Sequence, residues 1–361
     1  MLALAGFGVA WWARGPAPIA IGTASEAEID ATQPCETIVT YFAPDKSVVV
    51  VDFPSLLAQG QALDRVAAFV EKANVPHDRL LDDAALNAAI AAGGETVASY
   101  YYGHDYQAAD LARFFALAKS ENIQLNPEEL WLRRLLRQLG WLRAGANGAL
   151  ITLPAAGGDV SPEMRAVILR HEISHGAFYI VPEYRHYTER FWAGLTPADR
   201  AAFTGFLGRQ GYDTSLTELM LNETQAYLIF TRDPRFFNAA AVGKTEAEID
   251  QLRQGFIANM PNFWLTPLAT APLPPVPATM PTCPTKQAMA VTGQRRMCLC
   301  YRKGDSKRRG YDMSGYRAAQ QTRLKPAQAP QADRCCPFRH PTKNGHLSSM
   351  LRTCKAAWIR S

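Results

Sequence analysis

The chain has 361 residues, 48% of them hydrophobic, and a formal net charge of +5. That length admits one large domain or two ordinary ones, and that apolar fraction is the composition of a globular protein with a sizeable core. The charge is uneven: from Cys283 onward there are 17 Lys and Arg against three Asp and no Glu, whereas residues 1–282 hold 21 basic and 30 acidic side chains, so the body carries no signature of nucleic-acid binding.

Cysteine divides the same way. Cys35 stands alone in the body, while Cys283, Cys298, Cys300, Cys335, Cys336 and Cys354 lie in the basic tail. The body is therefore expected to lack an internal disulfide and to be held by packing and hydrogen bonds.

Residues 1–12 form an apolar run, followed by Arg14 and a small-residue stretch over 16–25. Twelve residues fall short of the roughly 20 that span a bilayer as a helix. The run reads as the core of an export signal, with Gly22-Thr23-Ala24 as a cleavage site, although no Lys or Arg precedes it. We expect residues 1–29 to be a signal peptide or membrane anchor, and the protein to be exported, periplasmic or membrane-anchored through that segment. The alternative is a buried N-terminal strand or helix, with a cytoplasmic location left open.

Residues 37–42 and 47–53 are rich in β-branched side chains and flank Ala43-Pro44-Asp45-Lys46, so they read as two strands joined by a turn. From 54 to about 141 the pattern is helical, with apolar residues recurring at three and four in 63–70, 111–117 and 130–142. Asn126-Pro127-Glu128-Glu129 supplies a start signal for the last of these. Within this region Tyr100-Tyr101-Tyr102-Gly103-His104-Asp105-Tyr106 is aromatic enough to line a cleft, with His104-Asp105 read as a helix cap and its neighbour.

Residues 149–153 read as a strand, and Ser161-Pro162-Glu163 starts a helix with Ser as cap and Pro just inside. That helix is expected to run through Phe178 and stop before Pro182. Further helices are expected at 197–209, from about Ser215 to Phe230, and at 244–260. The Pro-rich stretch 266–284 is expected to break regular structure, and the basic, Cys-containing tail 285–361 to be disordered.

One segment dominates the chemistry: Arg170-His171-Glu172-Ile173-Ser174-His175-Gly176. Two histidines four apart on a helix share a face, with β-carbons about 5–6 Å apart, so both imidazoles reach one ion. Glu172 then sits beside the metal, where it can take a proton from a zinc-activated water. Met164, Ile168, His171, His175 and Phe178 form one stripe, which turns the histidines toward the core. A catalytic zinc needs a third protein ligand. Val181 occupies the position where one zincin class has a histidine, and His186 lies beyond Pro182. Glu223 shares a helix face with Leu216, Met220, Tyr227 and Phe230, and a carboxylate in such a stripe wants a cationic partner. Glu223 is the expected ligand, with Glu218 in reserve.

The His-Glu-x-x-His helix followed by Asn222-Glu223-Thr224-Gln225-Ala226 resembles the gluzincin group of zinc peptidases, over about residues 148–230. The resemblance implies an α+β, zincin-like catalytic domain over 148–265, with a small sheet and mostly helical surroundings. Residues 30–147 would form a strand–helix region of the same catalytic unit. It implies one Zn2+ per chain on His171, His175 and Glu223, with Glu172 as general base. It also implies an edge strand at 149–153 that binds extended peptide by backbone pairing. The 47 residues between His175 and Glu223 match the long spacing of neprilysin-like and lethal-factor-like members. The latter place a tyrosine before the glutamate, which makes Tyr212 the first choice for stabilising the oxyanion, with Tyr179, His186 and Tyr227 as alternatives. Residues 149–153 lack the Glu and Asn that bind a free amino terminus in aminopeptidases, so the expected activity is endopeptidase cleavage of a peptide or protein substrate. Two rivals are a non-catalytic zinc-binding protein and a di-iron protein built on Glu172-x-x-His175 and Glu183-x-x-His186.

Overall fold

A computed structural model describes residues 17–276 and Cys283. Residues 1–16 and the basic tail expected to be disordered lie outside the described residues. The architecture is mixed α and β, with ten α-helices and one five-stranded sheet among the described residues. None of these helices is long and apolar enough to cross a membrane.

The sheet is built around β3 (Val48–Phe53) and β5 (Ala149–Pro154), which pair in parallel and are buried along their whole length. Apart from Asp52 and Thr152 both are runs of apolar residues without alternation, as a strand covered on two faces requires. Successive side chains point to opposite faces. Val48, Val50, Ile151 and Leu153 enter one core, with Ile168, Ile173 and Phe178 of α6 (Pro162–Ile180). Val49, Val51, Phe53 and Leu150 enter the other, with α2 (Leu56–Val70), α4 (Ala108–Ser120) and α5 (Pro127–Leu139). On the far side of β3, β2 (Ile38–Phe42) runs antiparallel and β1 (Ile21–Ala24) pairs parallel to β2. On the far side of β5, β4 (His104–Gln107) runs antiparallel and forms the other edge.

Several expectations change. Residues 149–153 are not the edge strand; β4 covers that side, pairing His104 with Thr152 and Asp105 with Ile151. His104-Asp105 is thus in a strand and not at a helix start. Residues 21–30 belong to the fold, as β1 and α1 (Glu26–Asp30), so cleavage after Ala24 would strip an edge strand from the sheet. Glu26 holds Arg170 by two hydrogen bonds of 2.7 and 2.8 Å, and Arg165 is fully buried between Asp52, Ile29 O and Pro154 O. These two arginines tie α6 to the N-terminal segment and to β3. Cys35 is bonded to Cys283, 248 residues away, so the body is closed by a disulfide after all. The Pro-rich stretch begins with a 3-10 turn, Thr266–Ala269, and Ala271 O accepts from Arg170 Nη1.

Helix α6 is also more deeply set than a single apolar stripe implies. Residues 165–178 are buried on every side, because the sheet covers one face while α7 (Pro182–Gly194), α9 (Thr217–Gln225) and the π-helical turn Ala226–Phe230 cover the rest. Helix α7 begins directly at Pro182, which ends α6 without ending helical structure, since Pro fits the first turn of a new helix.

Candidate metal centre

Ser161 caps α6 by accepting from Met164 N at 3.2 Å, and Pro162 occupies the first turn. Two and a half turns on, the helix delivers His171, Glu172 and His175 into the interior, where they are 5%, 6% and 0% exposed. Helix α9 brings Glu223 to the same point. Its neighbour Gln225 fastens the two helices: Gln225 Nε2 donates to Ser174 Oγ at 3.2 Å, and its Oε1 accepts from Tyr184 Oη at 2.6 Å. The chain loses regular α-geometry right after Gln225, in the π-helical turn, a feature frequent at functional sites.

His171 Nε2 and His175 Nε2 are 3.0 Å apart. Glu223 Oε2 lies 3.6 Å from the first and Glu223 Oε1 3.6 Å from the second. Bonds of 2.0–2.2 Å to a tetrahedral ion put ligand atoms about 3.3–3.6 Å apart, so the three side chains suit one such ion. Glu223 Oε2 is buried without a hydrogen-bond partner among the described residues. Burial pushes the His171 imidazole down to about 4, keeping it in the neutral form a metal needs. Its tautomer is set as well. His171 Nδ1 lies 2.7 Å from Thr231 Oγ1, whose hydroxyl donates to Ala226 O at 3.1 Å, so Nδ1 carries the proton and Nε2 the free lone pair. His175 Nδ1 has no such partner among the described residues.

Glu172 is beside this triad and not in it. Its Oε2 is buried and unpartnered, and its carboxyl is pushed well up by burial and by the nearby Asp105, Glu223 and Glu71. Gly103 lies against it so closely that a β-carbon there would sit 2.1 Å from Glu172 Oε1. Residues 99–103, Gln210, Tyr212 and Tyr227 complete the wall of a cavity of about 30 Å³, enough for a water molecule. A wider cavity of about 480 Å³, lined by Arg170, Arg232 and Arg253, includes neither histidine.

Of the oxyanion candidates, Tyr212 lines this cavity and is kept protonated by burial. Tyr227 lies with its ring centroid 4.8 Å from that of His171. Tyr179 donates to Asp105 Oδ1 at 2.7 Å, and His186 is exposed on α7. Glu218 is exposed and bound to Arg185 at 2.5 Å, which removes it as a ligand. Glu183 is exposed with His186, so the second half of the di-iron pattern is absent from the centre.

Two acids that the sequence reading did not select are present. Asp105, on the edge strand, groups with Glu172 and His175, and its Oδ2 is 3.7 Å from His175 Nε2. Glu71, at the end of α2, groups with Asp105 and Glu223. The only sequence signal for either was the polar pair His104-Asp105 inside an aromatic run.

Comparison with family models, with curated proteins and with solved structures returned no match.

Proposed function

We propose that this chain is a zinc metallopeptidase of gluzincin type with a zincin-like catalytic fold, cleaving internal peptide bonds. The observation that carries the reading is the convergence of His171, His175 and Glu223 with an unligated Glu172 beside them. The group that contains both histidines has three members, His171, His175 and Glu223, while Asp105, 3.7 Å from His175 Nε2, groups with His175 but not with His171. The antiparallel edge strand β4 next to the site supports the fold assignment, and its outer edge is the surface on which an extended peptide would pair.

Zinc on His171, His175 and Glu223 would polarise the scissile carbonyl and lower the pKa of a water toward about 7. Glu172 Oε2, with no competing partner, accepts the proton of the attacking water and returns it to the leaving amine. Tyr212, protonated and on the cavity wall with His171 and Glu172, supplies its hydroxyl to the developing oxyanion. Thr231 keeps His171 Nε2 facing the ligand position. The Cys35–Cys283 disulfide supports an oxidising compartment and thus export.

The test is zinc content and peptidase activity of the purified full chain beside Glu172→Gln. One bound zinc and cleavage in the parent, with zinc kept and cleavage reduced by at least about 10²–10⁴ in the variant, support the reading. A parent that binds no zinc would sink it.

A further inference from the structure

The catalytic scheme above leaves two buried acids without a task. Glu71 and Asp105 are 3% and 7% exposed, and their ligand atoms lie within 4.8 Å of each other and of a Glu223 oxygen. Glu71 is brought there by a long-range pairing. Its carbonyl accepts from Asp213 N at 2.9 Å, Ala73 N donates to Gly211 O at 3.0 Å, and Lys72 and Tyr212 form an antiparallel bridge. Asp105 is brought by the edge strand.

Glu71 and Asp105 are each steadied by a tyrosine. Tyr106 Oη donates to Glu71 Oε1 at 3.1 Å and Tyr179 Oη to Asp105 Oδ1 at 2.7 Å. Tyr106 is in turn 2.9 Å from His104 Nδ1. Carboxylates oriented by outer hydrogen bonds, each with ligating capacity left over, are the usual surroundings of a metal.

Charge points the same way. Glu71, Asp105, Glu172 and Glu223 share one enclosure, and among the described residues none of them is in an ion pair with Lys or Arg. Lys72 is the adjacent cation, but its Nζ lies over the rings of Tyr100 and Tyr101, 4.3 and 4.2 Å from their centroids. One divalent ion offsets half of four carboxylates, and buried carboxylates without counter-charge are costly. Glu172 Oε2 and Glu223 Oε2 are both buried without a hydrogen-bond partner among the described residues, and each of these two acids groups with Asp105 at ligand-atom distances within 4.8 Å.

We infer that the centre holds a second divalent cation, bound through oxygen alone by Glu71, Asp105 and Glu223, with Glu223 shared between the two ions. This rests on the metallopeptidase reading for the first ion. A carboxylate bridge is how two-metal sites keep ions about 3.5–4 Å apart, and an all-oxygen donor set suits a hard ion such as Mn2+.

The experiment strips the full chain with a chelator and reloads it with Zn2+ alone or Mn2+ alone, counting metal per chain by mass spectrometry. Two ions are expected in the parent and one in Glu71→Gln or Asp105→Asn, with near-UV circular dichroism showing that the variants fold. The parent loaded with Mn2+ provides a measurement independent of any variant: a coupled pair gives an exchange-split electron paramagnetic resonance spectrum. A parent that saturates at one ion with an isolated-Mn2+ spectrum overturns the second site and leaves the first intact. A parent that takes up no metal overturns both.

Discussion

The hydroxyl of Thr231 stands 2.7 Å from Nδ1 of His171 and donates its hydrogen bond to Ala226 O, so one threonine settles which imidazole nitrogen is free. Replacing it with valine keeps the shape and removes the acceptor. Thr231→Val is expected to weaken zinc binding about 10–100-fold, as loss of an outer hydrogen bond to a ligating histidine does. Competition against a fluorescent chelator measures this, and an unchanged affinity would deny Thr231 its role.

Tyr212→Phe separates oxyanion stabilisation from metal binding. The ring remains to fill its place in the wall, while the donor is lost. A fall in kcat of about 10²–10³ is expected, with zinc content retained and KM little changed. Were kcat to stay within about threefold, another donor, with Tyr227 the nearest alternative, would have to serve.

Gly103→Ala tests the closeness of the edge segment to Glu172, the proposed general base. The added carbon would fall 2.1 Å from Glu172 Oε1 and 2.9 Å from Ile168 Cγ2, so the carboxylate has to move. Overpacking of this kind costs about 1–3 kcal/mol. A displacement of order 1 Å in a catalytic group costs about 10²-fold in rate. Peptide hydrolysis should therefore drop by that factor while zinc remains bound, and a fully active variant would mean that residues 99–103 sit elsewhere during turnover.

Cys35→Ser addresses the disulfide. Losing a native cross-link typically costs about 2–5 kcal/mol, and the loop closed here spans 248 residues. Thermal melts of Cys35→Ser, Cys283→Ser and the reduced parent should all shift downward by the same amount. A melt indifferent to reductant would show that the bond adds nothing to stability.

The helix that carries the histidines was the most legible part of the chain, because Ser161-Pro162 marks its start and the spacing of four puts His171 and His175 on one face. Glu223 was legible for a related reason, as a carboxylate in an apolar stripe. What stayed hidden depends on strand pairing and on distant segments meeting. Strand β4 has four residues, too few to display a period, and it is flanked by aromatics that suit either a cleft or a core. Asp105 could be placed only once β4 was paired with β5, and Glu71 only once the end of α2 met residues 211–213. The Cys35–Cys283 bond has no local signature at all, since connectivity over such a distance is a property of the folded chain. Strand β1, another four-residue element, was masked by the small residues of a segment that looked like an export signal.

The cavity beside Glu172 holds about 30 Å³, and residues 99–103 form part of its wall. A peptide backbone needs far more room than that. For the proposed substrate, this space has to widen before a peptide backbone can reach Glu172. Under that proposal two rates matter, as in enzymes whose conformational steps set the pace. Small chelators and extended inhibitors should then differ in arrival time much more than in final affinity.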